Sequence, residues 1–259
     1  MLLATWNVNS LRARLPRVLE FLDEYRPDAL LLQETKCSPE QFPHADLEAA
    51  GWKAVDNSGG RWCGVAILVP IEAEIDRSAQ GLPGQPEPDE ARWIEATLDG
   101  GIRVVSVYVP NGREVDSVHF ERKLEFLDAA ASRVAELAFA GPLIVGGDMN
   151  VAPTDLDVWD PNQFTGATHV TAQERLALER MRLAGPLFDA HVERLGDEQL
   201  FTWWDYRGGS FHRGFGMRID HFLLSRDLAD RIEQFGIARE YRKGEKPSDH
   251  VPVVMRLAD

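Results

Sequence analysis

The sequence predicts an α/β (α+β) protein in which two mixed β-sheets pack face to face with helices outside each. Three observations carry that expectation. Apolar, β-rich runs recur along the whole 259-residue chain, most of them bounded by Gly, Pro or Asp. Several, such as Leu30-Leu31-Leu32 and Leu143-Ile144-Val145, are apolar at consecutive positions, so neither face of their sheet is suited to water. Helical patterns separate only some of these runs, and strand-like segments follow one another from Gly64 to Val109, which argues against a simple doubly wound parallel sheet.

Taken in order, strands are expected at Leu2–Val8, Ala29–Gln33, Gly64–Val69, Trp93–Leu98, Ile102–Val109, Leu143–Gly147, Ile219–Leu224 and Val251–Leu257. Pro16–Tyr25 reads as a helix with Pro in its first turn, where a missing N–H leaves no bond unmade. Ser117–Ala138 is a second helix, and Thr171–Leu183 a third that opens on the capping box Thr171-Ala172-Gln173-Glu174. Gln80–Glu90, with three Pro, reads as a surface loop. Arg207–Gly216, with four Gly, is another, and its place just before Asp220 points it towards substrate. No repeat of fixed period is present. Candidate functional residues run from Asn7 to His250, so a single domain over 1–259 is expected.

The net charge of −14 argues against binding nucleic acid by overall attraction, because such binding normally presents a basic surface. A metal site gathers carboxylates for its own reasons, however, and Arg12, Arg14, Arg113, Arg207, Arg213 and Arg218 are candidates for a local basic patch. Cys37 and Cys63 fall in no CxxC or Cys/His pattern, which argues against a disulfide framework or a structural zinc site. Leu2-Leu3-Ala4-Thr5-Trp6 is too short for a signal-peptide core, and no apolar run nears the roughly 18 residues of a membrane span. A soluble cytoplasmic monomer without an obligate protein partner is the expectation.

Four islands carry the chemistry: Trp6-Asn7-Val8-Asn9, Leu32-Gln33-Glu34-Thr35-Lys36, Gly146-Gly147-Asp148-Met149-Asn150 and Ser248-Asp249-His250. Glu34 follows an apolar strand, so its carboxylate emerges at a strand end and suits Mg²⁺, which takes oxygen ligands. Asn7 can lend a carbonyl oxygen to the same ion or orient Glu34. Gly146 and Gly147 permit an abrupt turn that leaves Asp148 and Asn150 pointing the same way. Asp148 can then take a proton from water while the Asn150 amide donates to a developing phosphorane oxygen. Asp249 and His250 are neighbours that face opposite ways on a strand and so do different jobs. His250 can contact a scissile phosphate, with Asp220 fixing its tautomer or favouring its charged form, while Asp249 is free to hold metal directly or through water. Tyr108 and Asn111 end another strand, where a phenol and an amide can bind phosphate oxygens. Each has a plain structural explanation when taken singly: an Asx turn, a strand-end acid, a packing tyrosine. Their company points to a divalent-metal phosphodiester hydrolase.

In this order the islands resemble the exonuclease III family of apurinic/apyrimidinic endonucleases, within the endonuclease/exonuclease/phosphatase superfamily. The resemblance also takes in Gly64-Val65-Ala66-Ile67, Tyr108-Val109-Pro110-Asn111, the segment 147–155, Phe201-Thr202-Trp203-Trp204-Asp205-Tyr206, Arg218-Ile219-Asp220 and Lys246-Pro247-Ser248-Asp249-His250. It implies a four-layer α/β sandwich, dependence on Mg²⁺ or Mn²⁺, and hydrolysis of duplex DNA on the 5′ side of abasic sites, with cleaning or degradation of 3′ ends. By the same resemblance Glu34 is the principal metal ligand with Asn7 and Asp249 nearby, and the metal-binding set is Asn7, Glu34, Asp148, Asn150, Asp249 and His250. Asp148 is then the water-activating base, Asn150 and Tyr108 hold the phosphate, and Asp220 orients His250. Whether Asp148 or His250 is the base, and whether one ion or two act, stays open.

Trp203, Met217 and Ile219 match positions that line a pocket for an extruded abasic sugar, and Arg113 matches a duplex-probing side chain. Met217 stands where some relatives carry a large aromatic, and Asn9 where others carry Asp. A different phosphodiesterase of the superfamily is the alternative, and the Trp203–Asp220 segment argues against it. A catalytically silent DNA-binding protein would be expected to have lost one of Glu34, Asp148, Asp220 and His250; all four are present.

Overall fold

A computed structural model describes residues 1–258. Its strands are β1 (Leu2–Asn7), β2 (Ala29–Gln33), β3 (Trp52–Asn57), β4 (Val65–Pro70), β5 (Ile75–Gln80), β6 (Trp93–Leu98), β7 (Arg103–Tyr108), β8 (Leu143–Asp148), β9 (Phe188–Asp189), β10 (Trp203–Trp204), β11 (Gly216–Met217), β12 (Asp220–Leu224), β13 (Ile232–Ile237) and β14 (Val253–Leu257). The longer helices include α1 (Leu11–Tyr25), α2 (His44–Ala49), α3 (Val118–Ala140) and α4 (Ala172–Ala184). One six-stranded sheet runs β13-β14-β1-β2-β4-β3 and the other β5-β6-β7-β8-β12-β9, while β10 pairs with β11 apart from both.

Strands that are apolar on both faces explain the layering. Leu3, Leu31, Ile67 and Met255 of the first sheet meet Ile94, Val104, Ile144 and Phe222 of the second in a common core. Neighbouring positions on the same strands turn outward: Trp6, Leu30 and Leu32 pack on Val18, Phe21 and Leu22 of α1. Val105, Val107 and Val145 do the same against Phe126 and Ala130 of α3 and Met181 of α4. The result is the four-layer α/β sandwich that the sequence and its resemblance led us to expect.

Three expectations need correction. Gly146 and Gly147 do not turn the chain; both lie within β8. A methyl on Gly146 would stand 2.7 Å from both Leu31 and Phe222, and one on Gly147 only 2.0 Å from the Val107 carbonyl oxygen, so these glycines permit close approach of sheet to sheet and strand to strand. The turn comes at Asn150, in the left-handed region at φ +49°. Helix α1 begins at Leu11 rather than Pro16, which places the proline inside the helix, where the Arg12 carbonyl loses its i+4 partner. Besides the two-residue strands β9, β10 and β11, three longer ones, β3, β5 and β13, were not anticipated. All three of the longer strands end their sheets, and five of the six β5 residues are exposed, so no apolar run announces that strand. Among the described residues, no helix is long and apolar enough to cross a membrane.

Topology also brings the islands together. β1 runs parallel to β2, and β7 parallel to β8. β12 and β14 run antiparallel to β8 and β1. The C-terminal ends of four strands and the beginnings of two others therefore open on one edge of the sandwich. Register sets Tyr108 and Asp220 on either side of Asp148.

Candidate active site

The site is assembled on that edge from residues up to 243 positions apart in sequence, Asn7 to His250, and its first and last islands are tied by backbone as well as side chains. Ser248 Oγ donates to the Asn7 carbonyl at 2.7 Å and accepts the His250 N–H at 3.2 Å. The buried Trp6 indole donates to the His250 carbonyl at 3.2 Å. These bonds fix the loop ahead of β14 against the end of β1.

At the centre lies the Asp148 carboxylate, 1 % exposed. Asn7 Nδ2 bridges it to Glu34, donating to Asp148 Oδ2 at 2.9 Å and Glu34 Oε1 at 2.8 Å. The Asn7 oxygen is engaged elsewhere, accepting the Asn9 N–H at 3.0 Å. Of the two roles considered for Asn7, the orienting one has its hydrogen bonds here. Lys36 approaches Glu34 Oε2 at 2.7 Å and also bonds Asn9 Oδ1 at 2.6 Å. Asp148 Oδ1 accepts the Asn150 N–H at 2.9 Å, closing an Asx turn, and Asn150 Nδ2 donates to the Val109 carbonyl at 2.9 Å. Asp148 and Asn150 thus point the same way, as their spacing suggested.

His250 faces two carboxylates. Nδ1 sits 2.8 Å and 3.1 Å from the two oxygens of Asp220, and Nε2 lies 3.8 Å from Asp148 Oδ2. Burial of the ring pushes its pKa down, but Asp220 and then Asp148 outweigh burial and raise it to about 10. Burial also raises Asp148 to about 7, against the pull of His250 and with the push of Asp220 and Glu34. Tyr108 is held well above the ordinary phenol value, first by burial and then by Glu34, so its hydroxyl keeps its proton; the Arg92 guanidinium stacks 4.6 Å from its ring. The edge therefore presents an imidazolium, a carboxyl group poised near neutrality and a protonated phenol.

Glu34, Asp148 and His250 form the cluster able to hold a metal ion, with ligand atoms all within 4.8 Å of one another. The donor chemistry fits a hard divalent cation on its carboxylate side, since Glu34 and Asp148 offer oxygens. His250, protonated, belongs beside that ion rather than on it. Asp249 lies next to this group with its own partners: Oδ1 accepts from Asn9 Nδ2 and Oδ2 from Trp203 Nε1, each at 3.0 Å. Adjacent Asp249 and His250 do face different partners.

Other anticipated residues border the centre. Asn111 Nδ2 donates to Asn150 Oδ1 at 3.2 Å. Arg113 is exposed at φ +54°, its guanidinium 3.0 Å from His119 Nε2. Met217 and Ile219 are each 2 % exposed and pack with Ala152 and Val158, while Trp203 leans on them half-buried. Two members of the expected basic patch fall away. Arg218 is buried between Asp157 and Asp189, at 2.6 Å and 2.8 Å, and Arg207 is paired with Asp205 at 2.6 Å.

Sequence reasoning assigned no site role to Lys36, Ser248, His169 or Lys123, each of which bonds a site residue or its backbone, and placed Glu174, the partner of Lys123, only in a capping box. Lys36 and Ser248 lie within the quoted islands and could have been weighed there. Lys123 is an ordinary lysine in a helical pattern, and no sequence signal singles it out. Backbone strain marks the same edge: Asn9, Glu34, Lys36, Arg113 and Asn150 all have φ between +44° and +54°. Such conformations cost on the order of 1–3 kcal/mol each in side-chain-bearing residues and persist where the surroundings enforce them.

Comparison with known proteins is consistent with this geometry. The model of the Endonuclease/Exonuclease/phosphatase family matches residues 4–250. Exodeoxyribonuclease III of Haemophilus influenzae is 33% identical over 262 residues, covering 96% of this chain and 97% of that protein. Two solved structures superpose over the full length of both chains. One is a 3′ phosphatase, NExo, from Neisseria bound to a product DNA hairpin, with a TM-score of 0.96 and 35% identity. The other is an AP endonuclease from Archaeoglobus fulgidus, with a TM-score of 0.94 and 33% identity.

Proposed function

The chain belongs to the endonuclease/exonuclease/phosphatase family, and from that premise we propose that it is a metal-dependent DNA repair nuclease. In this reading it hydrolyses the phosphodiester 5′ to abasic sites in duplex DNA and also processes 3′ ends, within one domain spanning 1–259. The observation that carries the proposal is the convergence of Glu34, Asp148, Asp220 and His250 on one strand edge, with Glu34, Asp148 and His250 ligand atoms within 4.8 Å of one another and His250 Nδ1 2.8 Å from Asp220.

Glu34 and Asp148 would hold Mg²⁺ or Mn²⁺, which supplies Lewis-acid charge at a phosphate oxygen. Asp148, buried and fixed by the Asn7 amide and the Asn150 N–H, is placed to accept the proton of the attacking water. His250, kept cationic by Asp220, faces the negative charge that grows on phosphorus-bound oxygen. The Tyr108 hydroxyl and the Asn111 amide lie beside the same position and can donate to the remaining oxygens, while the Asn150 amide donates to the Val109 carbonyl and Asp148 Oδ2, at 2.9 and 3.3 Å, and holds Asn111 through its own oxygen. Asn7 keeps Glu34 and Asp148 at their spacing.

Work on 3′ ends has its own support. The Trp203, Met217 and Ile219 wall is closely packed, and a terminal phosphodiester or phosphate reaches the centre without a sugar having to be extruded into that wall. One assay tests both activities. The purified protein should cut a duplex oligonucleotide carrying a tetrahydrofuran abasic analogue and shorten a 3′-recessed duplex, lose both activities in EDTA and regain them with Mg²⁺. Absence of cleavage on both substrates with Mg²⁺ present would overturn the proposal.

A further inference from the structure

Behind the catalytic edge, Lys123 of α3 and Glu174 of α4 form an ion pair with both side chains 0 % exposed. A pair so deep gives little net stability over apolar residues of the same volume, so its location asks for another explanation. Lys123 Nζ donates to the Asn150 carbonyl at 2.7 Å and to the Asn111 carbonyl at 3.3 Å, which with Glu174 uses all three ammonium protons. Glu174 is fixed in turn. Its Oε1 accepts the Thr168 hydroxyl at 2.7 Å and the His169 N–H at 2.8 Å, and its Oε2 accepts the N–H and hydroxyl of Thr171 at 3.1 and 2.7 Å. His169 closes the loop, its Nδ1 lying 2.6 Å from the Asn150 carbonyl oxygen that Lys123 also holds.

Both loops gripped by Lys123 have demanding backbones. Asn150 is at φ +49°, and Gly112, next to Asn111, is at φ +85°. A methyl on Gly112 would meet Thr168 Oγ1 at 2.8 Å and Lys123 Cδ at 3.0 Å, so this loop rests directly on the lysine stem. Asn150 is held from the front by Asp148 and the Val109 carbonyl and from behind by Lys123 and His169.

We propose that Lys123, locked in place by Glu174, is a positioning residue for catalysis: it clamps the backbone carbonyls of Asn150 and Asn111 so that the Asn111 amide, and Asp148 through its bonds from Asn150, keep their orientation towards the phosphate. The inference rests on the functional reading above, in which those groups meet a phosphodiester. It touches no substrate atom and acts entirely through the two loops.

The test is the double variant K123M/E174Q, which removes both buried charges and keeps a glutamine that can still close the Thr171 capping box. It should melt within a few degrees of the wild type while kcat on the abasic duplex falls about 10- to 100-fold and KM moves less than about threefold. Amide hydrogen exchange over residues 109–113 and 149–152 should quicken relative to the rest of the chain. Wild-type kcat in a variant of unchanged melting temperature would overturn the proposal, as would a loss lying wholly in KM. Unchanged exchange in the two loops would also overturn it, and that readout stands even if the wild-type chain proves inactive, a result that counts against the nuclease assignment itself.

Discussion

Asp220→Asn isolates what one buried carboxylate does for the proposed reaction. Asp220 is 1 % exposed, and its two oxygens lie 2.8 and 3.1 Å from His250 Nδ1. His250 is buried, which alone would push its pKa below 6.5; Asp220 and then Asp148 bring it to about 10. With an amide at position 220, burial is opposed mainly by Asp148, 3.8 Å from Nε2, and the ring should return to about its ordinary value of 6.5 or lower. At pH 8 the wild-type ring is then almost wholly protonated and the variant's only about 3 % so, a loss of roughly 30-fold from charge alone. Lost orientation of the ring adds to this, for a total decrease in kcat of about 10² to 10⁴. The assay is kcat on the abasic duplex between pH 6 and 9, with circular dichroism confirming that the variant is folded at each pH. Because the charge component returns as the ring protonates, the variant-to-wild-type ratio should climb roughly 20- to 30-fold between pH 8 and pH 6. A ratio independent of pH would refute the reasoning, since Asp220 would then act on something other than the charge of His250.

Three further outcomes follow from the same site. Asp148→Asn should still bind a duplex with an abasic analogue in gel-shift assays while turnover drops by about 10² to 10⁴, and wild-type turnover in that variant would remove Asp148 as the base. EDTA-treated protein should lose thermal stability as pH rises: Asp148 and His250 both have folded pKa values above their unfolded ones, so their contribution is complete below the unfolded values and declines up to about 7 and about 10, respectively. Melting temperatures that hold level or increase from pH 6.5 to 10 without metal would contradict this, and a divalent ion should flatten the decline. Affinity for duplex DNA should depend on salt with a shallow slope, roughly −4 on logarithmic axes if Arg12, Arg14, Arg113 and Arg213 are the phosphate contacts, and a slope near −8 would require cations elsewhere.

The layers were legible because their cause is local. Leu30-Leu31-Leu32 and Leu143-Ile144-Val145 are apolar on both faces, and that pattern already demands a sheet covered on both sides. Capping at Thr171 was equally plain, since the bonds of its capping box involve residues three apart. Edge strands such as β5 were hidden because they bury too little to need an apolar run. The roles of Gly146 and Gly147 were misread for a related reason: the atoms that forbid a side chain there belong to Leu31, Val107 and Phe222, distant in sequence. At the site, acids and amides stood out by type and strand-end placement. Lys123 did not, because its significance lies in three oxygens supplied by α4 and two loops.

The charge of −14 then takes on a different meaning from the one composition suggests. Arginines away from the site are largely neutralised in place, as Arg133 is by Glu95 and Glu136, Arg182 by Glu179, and Arg226 by Glu193 and Asp230. Among the described residues, Arg14 and Arg113 form no such ion pair: Arg14 bonds the Asn9 and Pro247 carbonyls and the Tyr206 hydroxyl, and Arg113 faces His119. Both stand beside the catalytic edge, through Asn9 in one case and Asn111 in the other. Field at a strand edge is set by the charges nearest it, because those further than about 8–10 Å across solvent are screened at physiological salt. An acidic protein can therefore offer phosphate a locally cationic approach while its remaining surface repels DNA, which weakens nonspecific retention and leaves selection to the centre built around Glu34, Asp148 and His250.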